Sequence, residues 1–323
     1  MTEQLFPDFY CIQVPLPKSP LKYLNSYVVK GGGRSLVVDT GLNHRECLET
    51  MRTGLAKLDV DLNHTDFFIT HLHADHFGLV GRLASRNSRI YFNRPDSELI
   101  ESWNGFGQMI AYAERNGFPK AELHSALENH PGHKHGSKWV PKLNIINDGD
   151  IFEIGAYRFI CIITPGHTKG HMCLYEPSRK ILIAGDHLLI DITPNIQCWA
   201  DDQNPLKEYL ASLKRVGKLD VALVLPGHRR RFSDHRRRID ELMQHHEDRM
   251  TEICDILRSG PKNAYEVASQ MSWDIRCETW NEFPVTQRWF ATGEAISHLR
   301  FLEETKRIVR SKEIIPTTFY LAK

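Results

Sequence analysis

A mixed α/β fold is predicted for this chain from three observations. Four short apolar runs, DFFIT, RFICIIT, KILIA and VALVL, each stop at a polar cluster: HLHADH, PGHTKGH, GDH and PGH. The runs are rich in β-branched residues and bounded by Gly, Pro or Asp, as buried strands of a parallel or mixed sheet are. Stretches with helical spacing separate the runs, and beyond His228 the pattern is helical almost to the end.

Taken in order, YLNSYVVK, the turn GGGR and SLVVDTG predict a hairpin within the first 60 residues. The triple glycine is read as a plain turn, because neither a helix nor GK[ST] follows it. NHRECLETMRTGLAKL places Cys47, Leu48, Met51 and Leu55 on one helical face. FGLVGRLA after His76 predicts a further helix. Residues from about 95 to 140 read as helices separated by glycine-rich turns, an insertion of the kind that forms a lid or pocket wall. PLKEYLASLKRVGKL predicts a helix, with Pro205 suited to its first turn and Gly217 to its end. Past His228, Ser233 is the expected N-cap of a long helix. Ile239, Leu242, Met243, His246, Met250, Ile253, Cys254 and Leu257 line its apolar face until Gly260-Pro261 stops it. The remainder, about 259–323, reads as helix, helix, long helix and hairpin (KRIVR…TTFYLA), an order suggesting a small winged-helix-like domain.

At 323 residues the chain suits one large domain plus a small one, set here at 1–232 and 233–323. Lys plus Arg is 41 and Asp plus Glu is 40, a balance that argues against a protein built mainly to coat nucleic acid or an anionic membrane. No apolar run approaches the roughly 20 residues that span a bilayer, and the first residues lack a basic start followed by an apolar block. The seven cysteines are scattered without a C-x-x-C, which suits reduced thiols and a cytoplasmic protein.

The polar clusters at the strand ends converge wherever those ends share one crevice. Together they offer His71, His73, Asp75, His76, His167, Asp186 and His228. This all-nitrogen-and-oxygen set suits Zn, Mn or Fe and lacks the thiolates of a structural zinc site. In extended chain, residues two apart point the same way, so His71 and His73 can share one ion. Asp75 and His76 lie past the turn, where they can reach a second. Pro-Gly-His occurs three times; His167 and His228 follow strands, whereas His133 follows a helical stretch among His124, His130 and His135 and is assigned to surface or lid.

THLHADH resembles the T-H-x-H-x-D-H signature of the metallo-β-lactamase superfamily, and TPGHTKGH, AGDH and LPGH match its later motifs in order. The similarity covers about residues 8–232. It implies an αββα sandwich carrying a dinuclear site of two divalent ions, zinc first, with Mn or Fe as alternatives. His71, His73 and His167 would bind one ion, Asp75, His76 and His228 the other, and Asp186 would bridge. His171 is placed as support behind the ligands. The tail resembles the C-terminal extension of a lactamase-β-like hydrolase branch, close to glyoxalase II.

Two such ions, about 3.5–4 Å apart, can share a hydroxide that serves as nucleophile. Asp75 can accept a hydrogen bond from it and is the residue assigned a catalytic part. The resemblance implies that an Asp at position 186 disfavours β-lactam hydrolysis, because true β-lactamases lack it there. Hydrolysis of a thioester or related ester of a small acyl compound is the leading reading. Trp103, Phe106, Met109 and Tyr112 are candidates for an acyl pocket, with packing of the insertion onto the body the alternative. A ribonuclease or phosphodiesterase is the second reading, resting on Arg229, Arg230, Arg231, Arg236, Arg237 and Arg238 just past a ligand. A mononuclear iron dioxygenase and a metal-sensing winged-helix DNA binder are the others. The tail carries 9 Lys/Arg against 8 Asp/Glu, too even for a DNA reader, so dimerisation or support of the site is expected of it.

Overall fold

A computed structural model describes residues 1–102, 105–135, 142–275, 277–311 and 315–322. In chain order its first elements are β1 (Thr2–Phe6), β2 (Phe9–Pro15), β3 (Tyr23–Lys30), β4 (Ser35–Val38), α1 (Arg45–Lys57), β5 (Thr65–Phe68), α2 (Ala74–Phe77), α3 (Val80–Leu83), β6 (Ile90–Asn93) and α4 (Arg94–Glu101). There follow α5 (Gly107–Arg115), α6 (Lys120–Glu128), α7 (Pro131–His135), β7 (Asn144–Ile146), β8 (Ile151–Ile154), β9 (Tyr157–Ile163), β10 (Met172–Glu176) and β11 (Ile181–Gly185). The last are α8 (Pro205–Val216), β12 (Leu223–Pro226), α9 (His235–Leu257), α10 (Ala264–Gln270), α11 (Val285–Glu304), β13 (Ile308–Ser311) and β14 (Thr318–Leu321).

Two compact units are formed, both from discontinuous chain. The first comprises Met1–Ser102, Pro131–Pro194 and Lys214–Arg238. It holds a seven-stranded sheet in the order β1 to β7, and a five-stranded sheet in the order β12-β11-β10-β9-β8. The first sheet is antiparallel up to β4 and parallel from β4 to β7. Period-two alternation explains how the sheets bury both faces. Phe9, Tyr27, Leu36, Val38 and Phe68 pack with Phe159, Cys161, Met172, Leu174 and Ile183 of the second sheet. Their neighbours on the strands, Val14, Leu24, Val28, Val37 and Phe67, pack instead with Cys47, Leu48, Met51 and Leu55. Those four are the face that the spacing of α1 predicts.

Strand direction then gathers the polar clusters. β11 pairs parallel to β12, while β10 is antiparallel to both β11 and β9. β9, β11 and β12 therefore run the same way and finish at one edge. The end of β5 joins them: the carbonyl of Thr70 accepts from the Met172 N–H at 2.9 Å.

Two local readings differ from the structure. FGLVGRLA is not one helix but the single-turn helices α2 and α3, parted at Gly78-Leu79. The long helix starts at His235, and Asp234 rather than Ser233 accepts from the Arg237 N–H in its first turn.

The second unit comprises Trp103–His130, Asn195–Leu213 and Ile239–Lys323. The stretch expected as an insertion over about 95–140 is thus shared: 103–130 falls in the unit that holds the C-terminal helices, and 95–102 and 131–135 in the first. Tyr112 is buried with Met250, Ile253, Ala295 and Leu299. Met109 packs against Ala113, Phe118, Leu123 and Trp289, and the Phe106 ring lies 5.3 Å from that of His130. The three make packing contacts inside this unit, and Trp103 lies outside the described residues. After Gly260-Pro261 an Asn263/Glu266 capping box opens α10. A one-turn 3-10 helix over Trp280–Glu282, α11 and the antiparallel β13–β14 pair follow.

Deep in this unit His298 Nδ1 donates to the Glu294 carbonyl at 2.9 Å, so its Nε2 accepts from His246 Nδ1 at 3.0 Å. Burial pushes His298 down to about 3, helped by Arg249 and His245. Burial also pulls His246 well below its ordinary value and raises Glu294 to about 7. An unfolded histidine titrates near 6.5. Below that pH the unfolded chain binds protons that the folded pair refuses, so stability falls as pH falls. Glu294 acts in the opposite sense between about 7 and 4.5 and offsets one of the two histidines. The expected net loss between pH 6 and 4.5 is on the order of 1 kcal/mol per pH unit, read from hydrogen exchange of the α11 amides. His298→Gln should flatten that slope; an unchanged slope would assign the acid sensitivity to other groups.

Candidate metal centre

The seven sequence-predicted ligands meet at the edge where β5, β9, β11 and β12 end. Three groups have ligand atoms within 4.8 Å of one another: His71, His73 and His167; His71, His76 and Asp186; Asp75, His76 and His228. His167 Nε2 lies 3.0 Å from His73 Nδ1, and His76 Nε2 lies 3.3 Å from His228 Nε2. Asp186 reaches towards both triads, 3.6 Å from His167 Nε2, 3.4 Å from His228 Nε2 and 3.5 Å from His76 Nε2. Among the described residues none of these groups includes His124, His130, His133 or His135. His133 is exposed on the five-residue α7.

Whether these side chains suit cations is decided by their other contacts. A ligating imidazole uses one ring nitrogen for the metal and donates the other N–H to the protein. His76 Nδ1 donates to Asp39 at 2.7 Å, and His228 Nδ1 donates to the Tyr23 carbonyl at 2.9 Å. The Thr70 hydroxyl donates to Asp39 at 2.9 Å, which leaves its oxygen to accept from His71 Nδ1 at 3.0 Å. Each of these rings therefore turns its Nε2 inward. The buried His71 Nε2 and Asp186 Oδ1 make no hydrogen bond within the protein, as atoms reserved for a cation would. The donor set is imidazole and carboxylate only, so it fits Zn, Mn or Fe.

The charge balance agrees. Burial and the neighbouring imidazoles push His71 well below its ordinary value, and His73 to about 3. Burial would lower His76 and His228 too, but the carboxylates outweigh it. Asp39, Asp186 and Asp75 hold His76 well above its ordinary value, and Asp186 and Asp75 raise His228 to about 10. Burial acts to raise Asp75 and Asp186, yet the same imidazoles keep both well below the usual carboxylate range. Two carboxylates that stay ionised with little exposure make a cavity that favours positive charge.

Glycine permits the crowding at two points. Gly185 has φ +49°, and a Cβ there would stand 2.7 Å from His171 Nε2. A Cβ on Gly227 would stand 2.6 Å from Asp186 Oδ1 and 2.9 Å from His76 Cε1.

His171 is buried and turns both nitrogens to the protein: Nε2 accepts from the Asp186 N–H at 3.0 Å and Nδ1 lies 2.8 Å from the Thr164 hydroxyl. It thereby fixes the backbone from which Asp186 projects.

Several groups around the centre went unnoticed in the sequence. Asp39 accepts from the Thr70 N–H, the Thr70 hydroxyl and His76. Asn25 Nδ2 donates to the Pro226 and Arg229 carbonyls at 3.1 and 2.8 Å, and the Tyr27 hydroxyl donates to Pro226 at 2.7 Å. Asn25 and Tyr27 are alternate residues of β3, so their side chains on one strand face grip the loop of His228. A polar residue inside an otherwise apolar strand, as in YLNSYVV, and the Asp ending SLVVD were the available signals.

The arginine run is engaged within the first unit. Arg230 pairs with Asp191, Arg231 with Glu3 and Arg237 with Asp234. Arg229 bonds the Pro20 carbonyl, Arg236 those of Gly217 and Leu219, and Arg238 those of Leu189 and Ile192.

Comparison with known proteins places the chain. The sequence model of the metallo-β-lactamase superfamily matches residues 21–228. The chain belongs to that superfamily and is a metallo-hydrolase with its mixed α/β fold. A metallo-β-lactamase family protein from Thermus thermophilus superimposes with a TM-score of 0.84 at 27% identity, over 98% of this chain and 99% of that one. The "Probable metallo-hydrolase YqjP" of Bacillus subtilis is 24% identical over 93% of this chain and 94% of its own length. The acyl-coenzyme A thioesterase MBLAC2 of Homo sapiens is 25% identical over 66% of this chain and 75% of its own. Some relatives are longer: the chain spans 59% of the lactamase-like protein adaB of Aspergillus niger. No helix among the described residues is long and apolar enough to cross a membrane.

Partners behind metal ligands are typically worth 10- to 100-fold in metal affinity. Asp39→Asn should therefore weaken metal binding by about that factor in a competitive chelator titration; affinity within twofold of wild type would remove Asp39 from this role.

Proposed function

We propose that the protein is a dinuclear, metal-dependent hydrolase of a thioester or related ester of a small acyl compound. One observation carries the two-ion reading: a second complete triad, Asp75, His76 and His228, stands beside His71, His73 and His167, with Asp186 within 3.6 Å of imidazoles from both. A mononuclear iron site would not need that second set. Bound divalent ions would supply Lewis acidity, polarising the acyl oxygen and making water acidic enough to attack near neutral pH.

The chain's own residues divide the remaining work. His71, His73 and His167 would hold one ion, Asp75, His76 and His228 the other, and Asp186 would span them. Asp75 is the more open of the two carboxylates, its side chain 16% exposed against 9% for Asp186. Its Oδ2 lies 3.3 Å from His228 Nε2. It is thus placed to accept a hydrogen bond from the attacking water while its neighbours stay out of solvent.

The thioester is favoured over a phosphodiester by two considerations. The arginines that suggested phosphate binding already bond carboxylates and carbonyls of the same unit, and a relative covering two thirds of the chain bears the name of an acyl-coenzyme A thioesterase. The α10–α11–β13–β14 order supports a winged-helix-like reading of the tail, with a structural part rather than DNA reading on its even charge.

Metal analysis of the purified protein, combined with a panel of acyl thioesters assayed on wild type and Asp186→Ala, tests the proposal. About two equivalents of Zn, Mn or Fe are expected, with turnover lost in the variant. One equivalent of iron with oxygen consumption would move the protein to dioxygenases. Two ions without thioester turnover would sink the substrate and turn the search to RNA and other phosphodiesters.

A further inference from the structure

Asp96 lies in the first turn of α4, immediately past the end of β6, and is fully buried. One carboxylate oxygen accepts from the Leu72 N–H at 3.0 Å and from the Thr168 hydroxyl at 2.9 Å. The other accepts from the Gly170 N–H at 2.9 Å. Leu72 stands between His71 and His73, and Thr168 follows His167. A single side chain therefore ties together the two loops that carry these three histidines. His73 and His167 are 94 residues apart in sequence, and only the fold brings their loops side by side.

The anchor is itself anchored. Asn93 Oδ1 accepts from the Asp96 N–H at 2.7 Å and so fixes the turn from which the carboxylate projects. The same amide fills the place of a side chain at Gly170, where a Cβ would come within 1.5 Å of Asn93 Oδ1. The loop after β9 docks backbone-first onto the β6–α4 corner.

The other triad hangs from different supports. His76 is held by Asp39, His228 by the Tyr23 carbonyl, and the loop of His228 by Asn25 and Tyr27. None of these bonds involves Asp96.

We propose that Asp96 is a positioning residue for one ion of the pair, setting the geometry of the His71–His73–His167 subsite while leaving the Asp75–His76–His228 subsite to Asp39 and β3. This rests on the two-ion reading above. The two scaffolds meet only at the 70–76 segment, where Asp39 bonds Thr70 and His76 and Asp96 bonds the Leu72 N–H; Asp96 alone also holds the loop of His167, and β3 alone the loop of His228.

A double-mutant comparison of metal affinity, read by competitive chelator titration with zinc and by the absorption spectrum of the cobalt(II)-loaded protein, tests it. His228→Ala leaves the first triad intact and His167→Ala the second. Asp96→Asn should weaken the remaining ion about 10- to 100-fold in the His228→Ala background and leave it within twofold in the His167→Ala background. Equal weakening in both backgrounds would make Asp96 a general structural residue and overturn the proposal, as would no change in either. Should Asp96→Asn fail to fold, Thr168→Val and Thr168→Ser carry the same comparison. Valine, which lacks the hydroxyl, should reproduce the selective loss, and serine should restore wild-type affinity. Loss with both, or with neither, would overturn it. A wild-type protein holding fewer than two equivalents would instead refute the two-ion reading.

Discussion

The carboxylate of Asp39 is the constraint on which the candidate metal centre depends. It ends β4 with φ +59°, an unfavourable conformation for a residue other than glycine. Its oxygens accept from the Thr70 N–H, the Thr70 hydroxyl and His76 Nδ1. Through that hydroxyl its influence passes to His71, whose Nδ1 donates to the same Thr70 oxygen. One anion thereby sets the tautomer and tilt of an imidazole in each triad. With the orienting Nδ1–H groups committed to the protein, both Nε2 atoms face inward, where a cation would meet them.

That arrangement requires two sheets rather than one. A buried carboxylate or imidazole that finds no partner costs more than most folds can absorb, so every ligand needs a support within reach. β5 supplies His71 and His73 with β4 behind them; β9, β11 and β12 supply His167, Asp186 and His228 from the opposing sheet. The two are fastened at the ligand edge itself, where the Asn25 N–H donates to the Gly227 carbonyl and the Gly227 N–H to that of Gly185, both at 2.7 Å. The apolar layer between the sheets sets their separation, and these polar bonds set their register.

The legible part of the sequence was the part with a local pattern. Short apolar runs, β-branched-rich and bounded by Gly, Pro or Asp, located β3, β4, β5, β9, β11 and β12, and the polar residues that ended them supplied all seven residues that converge on the centre. α1, α8 and α9 followed from their own spacing and from Pro205 and Gly260-Pro261. What stayed hidden was everything defined by an encounter between distant segments. Asp96 is an ordinary first-turn acid until Gly170 and Leu72 arrive beside it, and Asn25 a polar interruption until the loop of His228 folds across it. The same reason explains why the 103–112 side chains left two readings open. Tyr112 and Met109 sit on amphipathic helices, and helical spacing shows that a face is buried without showing against what.

The arginine run shows how far charge in a sequence can be from charge in a site. Six arginines within ten residues of His228 suggest a phosphate-binding surface, because an unfolded reading counts every guanidinium as available. In the folded chain all six bond groups of the first unit. Three donate to main-chain carbonyls, which a guanidinium can satisfy several at a time, and three pair with Glu3, Asp191 and Asp234. Carbonyls at loop turns and the end of α8 would otherwise lack partners, and a residue with five donors is suited to collecting them. The cationic demand of the centre is met separately: its carboxylates draw positive charge from their own imidazoles and from any ion they hold. Charge that stands beside a site in sequence thus need not belong to it in the fold.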